Sequence, residues 1–166
     1  MADNLHPFDT GYEKMADVWH YAIQQVLNPR GSLLYTAVTP CKIVDTRDTS
    51  GGIIGAFTAR NFHVFGSAGT ISAQGGNAAG CPSPAGEPRA AHINMIAVNP
   101  TAKSNLQAFP LGAGPGAGLS VNHNTIDTNL ANAGTVETIT GAGPDITVTS
   151  RFASAHAVIS VLGYQY

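Results

Sequence analysis

Residues 135–150 read TVETITGAGPDITVTS, and this stretch decides the fold class. Val136, Thr138 and Thr140 alternate with Thr135, Glu137 and Ile139. Such alternation is expected for a β-strand that has one face in water. Glycine, proline and aspartate at 141–145 mark a tight loop. We therefore predict a hairpin whose two strands are Thr135–Thr140 and Ile146–Ser150.

Runs of β-branched residues separated by turn residues continue outward from this stretch and occupy the chain from Gly31 to the C-terminus. Residues 157–162 (AVISVL) are more continuously apolar and predict a central strand. Residues 112–118 (GAGPGAG) predict a flexible crossover between strands. Short strands with no helical pattern between them predict a mainly β fold, either a β-sandwich or a jelly roll. The predicted strands are Leu33–Val38, Cys41–Asp45, Arg60–Val64, His92–Val98, Leu106–Phe109, Leu119–Asn122, Thr135–Thr140, Ile146–Ser150 and Ala155–Leu162.

Residues 1–30 differ from the rest because they carry a helical pattern, over about residues 12–27. Apolar side chains recur there at helical spacing, and polar ones take the opposite side. Asn28-Pro29 ends the helix, since the residue before proline avoids the α region. We therefore predict two regions, an N-terminal arm with one α-helix (residues 1–30) and a β-sandwich domain (residues 31–166).

The apolar stripe of the arm needs a partner, because an isolated helix of this length is marginal in water. Either the stripe packs on the chain's own β domain, or it docks on a neighbouring subunit and creates an open-ended assembly. The low charge of the chain and the extended lead before the helix favour assembly. The predicted assembly residues are Met15, Val18, Trp19, Ala22 and Val26.

Charged residues make up 11% of the sequence, against about a quarter in an average soluble protein, and the formal net charge is -2. Such a surface is typical of secreted β proteins and of close-packed assemblies. No basic run is present, so we predict no nucleic-acid partner. No stretch approaches the ~20 apolar residues of a membrane span. The N-terminus lacks the pattern of a signal peptide, which predicts a cytosolic start or an export route without one, such as release in a phage particle.

Motifs for catalysis and metal binding are missing from the sequence. The six histidines form neither HxH nor HExxH, carboxylates are sparse, and no GxSxG occurs. We therefore predict no enzyme activity, no metal and no cofactor. Within residues 43–49 (IVDTRDT), Asp45 and Arg47 predict a structural ion pair at a strand end, because the planar guanidinium suits two-point contacts with a carboxylate.

The two cysteines, Cys41 and Cys81, lie 40 residues apart and match no zinc or redox spacing. We favour a disulfide between them over two buried free thiols, because Cys81 lies in a Gly/Pro-rich loop that would otherwise be poorly tethered. A disulfide indicates an oxidising compartment.

Asparagines cluster around the loop that follows Leu119. Their amides, with the nearby threonines, are candidate contacts to sugar hydroxyls. The alternative, which we favour, is turn chemistry and cross-strand amide bonding. The candidate glycan-contact residues are Asn122, Asn124, Asn129 and Asn132.

Residues 39–47 (TPCKIVDTR) are close to the pattern P-C-R-[IL]-[VL]-D-T-R. Further matches are Gly80-Cys81-Pro82, residues 93–98 (INMIAV), residues 106–110 (LQAFP), Ala131-Asn132 and the closing Gly163-Tyr164. From Thr39 to Tyr164 the chain resembles a β-rich domain of bacterial cell-surface and secreted proteins of unassigned function. Lys42 stands where the pattern has arginine. The resemblance implies an extracellular location and a Cys41–Cys81 bond, and it implies no known activity.

Two functions follow as expectations. The first is a structural subunit of an extracellular homopolymeric filament or fibre, in which the arm makes the contacts between copies of the chain. The second is a carbohydrate-binding or adhesive module, including a phage fibre or decoration protein, whose partners are glycans. Both place the protein outside the cell, at the cell surface or on a phage particle.

Overall fold

The computed structural model describes residues 12, 14–16, 18–20, 34–124, 129–139, 141 and 143–166. The chain divides into two compact units, Met1–Leu33 and Leu34–Tyr166. The described residues of the first unit are helical, as the sequence predicts for the arm. Residues 21–27 of the predicted helix lie outside the described residues.

The second unit contains eight described strands and one short helix, α1 (Ala68–Ala73). The strands are β1 (Tyr35–Asp45), β2 (Thr58–Phe62), β3 (Ala90–Val98), β4 (Ser104–Pro110), β5 (Leu119–His123), β6 (Leu130–Glu137), β7 (Ile146–Ser150) and β8 (His156–Gln165).

Two four-stranded antiparallel sheets pack as a sandwich, with the orders β1-β8-β3-β6 and β2-β7-β4-β5. Among the described strands, β4 and β5 are the one consecutive pair that shares a sheet ladder, and every other connection crosses between the sheets. Eight strands wound in this way form a jelly roll. The predicted mainly β fold is therefore confirmed, and of the two architectures considered the topology selects the jelly roll.

Two of the predicted connections are wrong. The strands on either side of residues 141–145 do not form a hairpin, because β6 pairs with β3 in one sheet while β7 pairs with β2 and β4 in the other. The glycine-rich residues 112–118 are not a crossover, because they join β4 to its direct neighbour β5. Loop composition marks a turn but carries no information about which sheet the next strand enters.

Two strands and one helix also differ from the predictions. The first two predicted strands are one strand, β1, whose register shifts between Ala37 and Cys41 to accommodate extra residues around Pro40. Strand β6 begins at Leu130, in a run rich in alanine and glycine that has low β propensity. Helix α1 was not predicted, and its N-cap is Ser67, whose side chain accepts a hydrogen bond from the Thr70 amide. Among the described residues, no helix combines the length and apolar character that a membrane crossing requires.

The core lies between the two sheets and is built from alternate residues of each strand. In the first sheet Ile93 and Met95 of β3 pair across the ladder with Val161 and Ile159 of β8, and all four are fully buried. The predicted central strand therefore does lie inside its sheet, between β1 and β3. The largest other fully buried side chains are Tyr164, Phe62, Ile43, Ile54, Ile71, Leu106, Ile146 and His123.

The end of β1 is covered by the segment that follows α1. Val44 forms a bridge with Gly75, and the Asp45 amide donates to the Gln74 carbonyl at 3.0 Å. Gly75 has φ +79 and its Cα faces the Asp45 carbonyl, so a Cβ there would collide with the β1 backbone. The segment after α1 therefore covers one edge of the sheet, beside the predicted Asp45–Arg47 pair.

Candidate functional site

Cys41 and Cys81 form a disulfide, with Cα atoms 5.7 Å apart. The bond ties the middle of β1 to the loop before β3, and two tyrosines of the C-terminal region hold the same loop. The Tyr164 hydroxyl donates to the Pro82 carbonyl at 3.2 Å, and the Ala85 amide donates to the Tyr166 hydroxyl at 2.9 Å. Burial raises the pKa of Tyr164 to about 12, so this hydroxyl remains a donor at any ordinary pH.

Asp45 and Arg47 form a two-point ion pair where β1 ends. The Arg47 Nε donates to Asp45 Oδ1 at 2.8 Å, and a terminal guanidinium nitrogen donates to Oδ2 at 2.7 Å. Lys42 adds a third cationic contact at 3.2 Å. The hydrogen bonds from Arg47 hold the pKa of the buried Asp45 carboxyl well below its usual range. The next residue, Thr46, accepts a hydrogen bond from the Ala157 amide, so the cluster joins β1 to β8.

The asparagines predicted as glycan contacts bond mainly to neighbouring groups of the chain. Asn132 donates to the Ser120 carbonyl at 2.9 Å, and Asn122 accepts from the Ser120 hydroxyl at 3.4 Å, so both contact the same residue of β5. Asn129 instead accepts from the Asn99 amide. Asn124 is exposed just after β5. Three of the four therefore make local bonds within the sandwich.

The described assembly residues of the arm are all exposed. Trp19 and Val18 expose 66% and 68% of their surface, and Met15 is about half-exposed. Ala22 and Val26 lie outside the described residues. Exposure of large apolar side chains at helical spacing leaves a stripe of surface that water solvates poorly.

Apart from the ion pairs at the end of β1, the titratable side chains of the described residues show no arrangement typical of a metal site. Among the described residues, no group of three or more His, Cys, Asp or Glu side chains is placed to hold a metal ion. A cavity of about 190 Å³ is lined by His63, Thr70 and Asp145 together with glycines. Burial raises the pKa of Asp145, whose Oδ2 accepts from the Val64 amide at 2.8 Å. This carboxyl tethers the loop after β2, and no hydrogen bond between described residues joins it to the His63 ring.

A cavity of about 420 Å³ opens on the β2-β7-β4 face, and we call it the aromatic pocket. Its lining residues are Phe57, Thr58, Ala59, Gln107, Pro115, Thr149, Ser150 and Arg151. Phe152 is not a lining residue, but its ring meets the ring of Phe57 edge-to-face with centroids 5.8 Å apart, and the two residues expose 60% and 76% of their surface. The Arg151 guanidinium lies over the Phe152 ring, 5.1 Å from its centroid.

Phe57 is held in a conformation that non-glycine residues rarely adopt. Its φ is +58, although its ring is exposed and gains little from the core. The Phe57 amide donates to the Ser150 carbonyl at 2.9 Å, and this bond keeps the strained backbone in place. Strain of this kind concentrates at binding sites, because stability alone would select glycine or asparagine here.

No sequence pattern indicates this pocket. Phe57 and Phe152 lie on loops far apart in the chain and meet only because β2 and β7 are neighbours. The one local signal is Arg151-Phe152, an exposed cation and ring at the end of a strand, which by itself is common. No protein-family model, curated protein or solved structure matches this chain.

We predict that Phe57→Asn is more stable to urea than Phe57→Ala by about 1 kcal/mol, because asparagine tolerates a positive φ and alanine does not. The matched control is the pair Phe152→Asn and Phe152→Ala, where φ is not positive and the two variants should agree within a few tenths of a kcal/mol. Equal stability of the two Phe57 variants would show that the backbone there carries no strain.

Proposed function

We propose that this chain is a non-enzymatic structural subunit of an extracellular homopolymeric filament or fibre, with the arm making the contact between subunits. The observation that carries the proposal is the exposure of Met15, Val18 and Trp19 on the arm helix. Three large apolar side chains at helical spacing favour burial against another surface. A head-to-tail contact between arm and neighbour repeats without closing, which is how open filaments arise.

Two properties of the whole chain support this proposal. The low fraction of charged residues, 11%, gives little electrostatic repulsion between copies. The Cys41–Cys81 disulfide suits an oxidising environment outside the cytosol. Both properties are compatible with a subunit that is closely packed against its copies outside the cell.

We expect Trp19→Ala to raise the protein concentration needed for assembly by about 30-fold, since a buried tryptophan at an interface contributes about 2 kcal/mol or more. Light scattering over a concentration series, with electron microscopy of the scattering fractions, measures this threshold. His20→Ala is the matched control, because it changes an exposed polar residue of the same helix. A wild-type chain that stays monomeric at high concentration would overturn the proposal.

A second function is favoured by the aromatic pocket: a carbohydrate-binding or adhesive module, on a cell surface or as a phage fibre or decoration protein. Exposed rings beside amide and hydroxyl groups suit a sugar, whose C–H faces are apolar while its edges carry hydroxyls. The pocket volume lies within the range of small-ligand sites. A glycan array tests this function, and an array with no bound glycan would contradict it. The two functions are compatible, since the arm and the pocket are different surfaces.

A further inference from the structure

We infer that the aromatic pocket takes an acidic saccharide, and that Arg151 binds the carboxylate of that sugar. The inference rests on the carbohydrate-binding function proposed above and adds the chemical class of the ligand. Three features carry it: the exposed Phe57 ring with the Phe152 ring against it, the polar side chains on the pocket floor and the single charge on the lining.

The rings supply the surface on which a sugar ring can stack. Phe57 and Phe152 meet at right angles, with 84° between their planes, so together they form a corner and not a flat wall. A pyranose placed in this corner would cover apolar carbon on both rings and exclude water from them. The backbone strain at Phe57 is accounted for if this ring position serves a ligand.

The floor of the pocket supplies hydrogen-bonding groups for hydroxyls. Gln107 and Thr149 are direct cross-strand partners on β4 and β7, and both are half-buried. Their side chains make no hydrogen bond to any described residue, so their amide and hydroxyl groups remain available. The neighbouring Thr58 hydroxyl is already used, since it donates to the Gly55 carbonyl at 2.7 Å. A sugar with two adjacent hydroxyls therefore finds partners at Gln107 and Thr149.

Charge decides between a neutral and an acidic sugar. Arg151 is the one charged residue among those that line the pocket, and no described carboxylate lies within ion-pair distance of it. Its guanidinium is already held over the Phe152 ring, so less side-chain freedom is lost when it binds a ligand. A guanidinium forms parallel hydrogen bonds to both oxygens of a carboxylate, which a neutral sugar cannot match.

The expected preference is modest because Arg151 is exposed to water. Ion pairs at exposed sites contribute little to the free energy of binding. We therefore expect the acid to bind only about three- to fivefold more tightly than an uncharged analogue. The preference should shrink at about 0.5 M NaCl, because salt screens exposed charges. Stacking on the two rings is not electrostatic, so binding of the uncharged analogue should change much less with salt.

An array of uronate and sialate oligosaccharides, each beside its own methyl ester, tests the inference on the full-length chain. The ester keeps the ring and hydroxyls but removes the charge, so the pair isolates the role of Arg151. Calorimetric titration of the best pair then measures both affinities. We expect the acid to bind more tightly, Arg151→Gln to equalise acid and ester, and Phe57→Asn to weaken both at least tenfold. Arg89→Gln is the control, since Arg89 is an exposed cation that does not line the pocket.

The outcomes separate this inference from the function on which it rests. If acid and ester bind equally to the wild-type chain and Phe57→Asn abolishes both, the ligand is a neutral sugar, and the inference fails while carbohydrate binding stands. If no glycan binds, both fail. If the Phe57 and Phe152 variants instead change the assembly threshold of the chain, the pocket is occupied by a second copy, which also overturns the inference.

Discussion

Loss of the Cys41–Cys81 disulfide is expected to lower the free energy of unfolding by about 4 kcal/mol. The bond closes a loop of 40 residues, and in the chain-entropy model a cross-link of that length removes this much freedom from the unfolded chain. Because a domain of this size is stable by only about 5–15 kcal/mol, the loss is a large share of the total. The reduced protein should therefore unfold at a much lower urea concentration.

Urea unfolding of the oxidised and the reduced wild-type chain measures this contribution without changing any side chain. The double variant Cys41→Ser/Cys81→Ser is the control, because a reductant should leave its unfolding curve where it is. Limited proteolysis adds a local measurement, since reduction should expose the loop around Pro82 to cleavage before the sheets open. A reductant that shifts the wild-type curve by less than about 1 kcal/mol would mean that the Tyr164–Pro82 and Ala85–Tyr166 hydrogen bonds hold this loop unaided.

The fold class could be predicted from the sequence because strand patterning and turn residues are local signals. Seven of the eight strands overlap a single predicted strand, and the Ala157–Leu162 run lies inside its sheet as expected. Chain connection was not predictable in the same way. The loops at 112–118 and 141–145 have similar glycine-rich compositions, yet one joins neighbours and the other crosses between sheets. The difference depends on which partners β6 and β7 find in the folded chain.

The candidate sites also differ in whether a local sequence pattern indicates them. Asp45 and Arg47 are two residues apart, so their pairing could be predicted from side-chain chemistry alone. The aromatic pocket depends on β2 and β7 being neighbours and on a backbone conformation at Phe57 that no local pattern indicates. The structure shows that three of the four predicted asparagines bond to groups within the sandwich.

Replacement of Asp45 by asparagine is the second large effect that we expect, a loss of about 2–3 kcal/mol in the free energy of unfolding at neutral pH. The Asp45 side chain is 1% exposed, and the substitution would turn an amide nitrogen toward the donors of Arg47 and Lys42. Both cations are partly exposed and can regain water. The loss should therefore fall below the ~3–5 kcal/mol typical when a fully buried pair is broken.

Asp48→Asn is the matched control for this substitution, because it removes the same charge from a side chain that is 62% exposed and lies 3.4 Å from Lys42. An exposed pair of that kind should contribute less than about 1 kcal/mol. The pH dependence gives a second measurement. The pKa of Asp45 is depressed in the folded chain, so its stabilising effect is complete above about pH 4, where the unfolded chain is also ionised, and declines as the pH falls toward the folded value. The gap between wild type and Asp45→Asn in urea unfolding should therefore narrow in acid. A gap that stays constant from pH 7 to about pH 3 would assign the loss to packing rather than to charge.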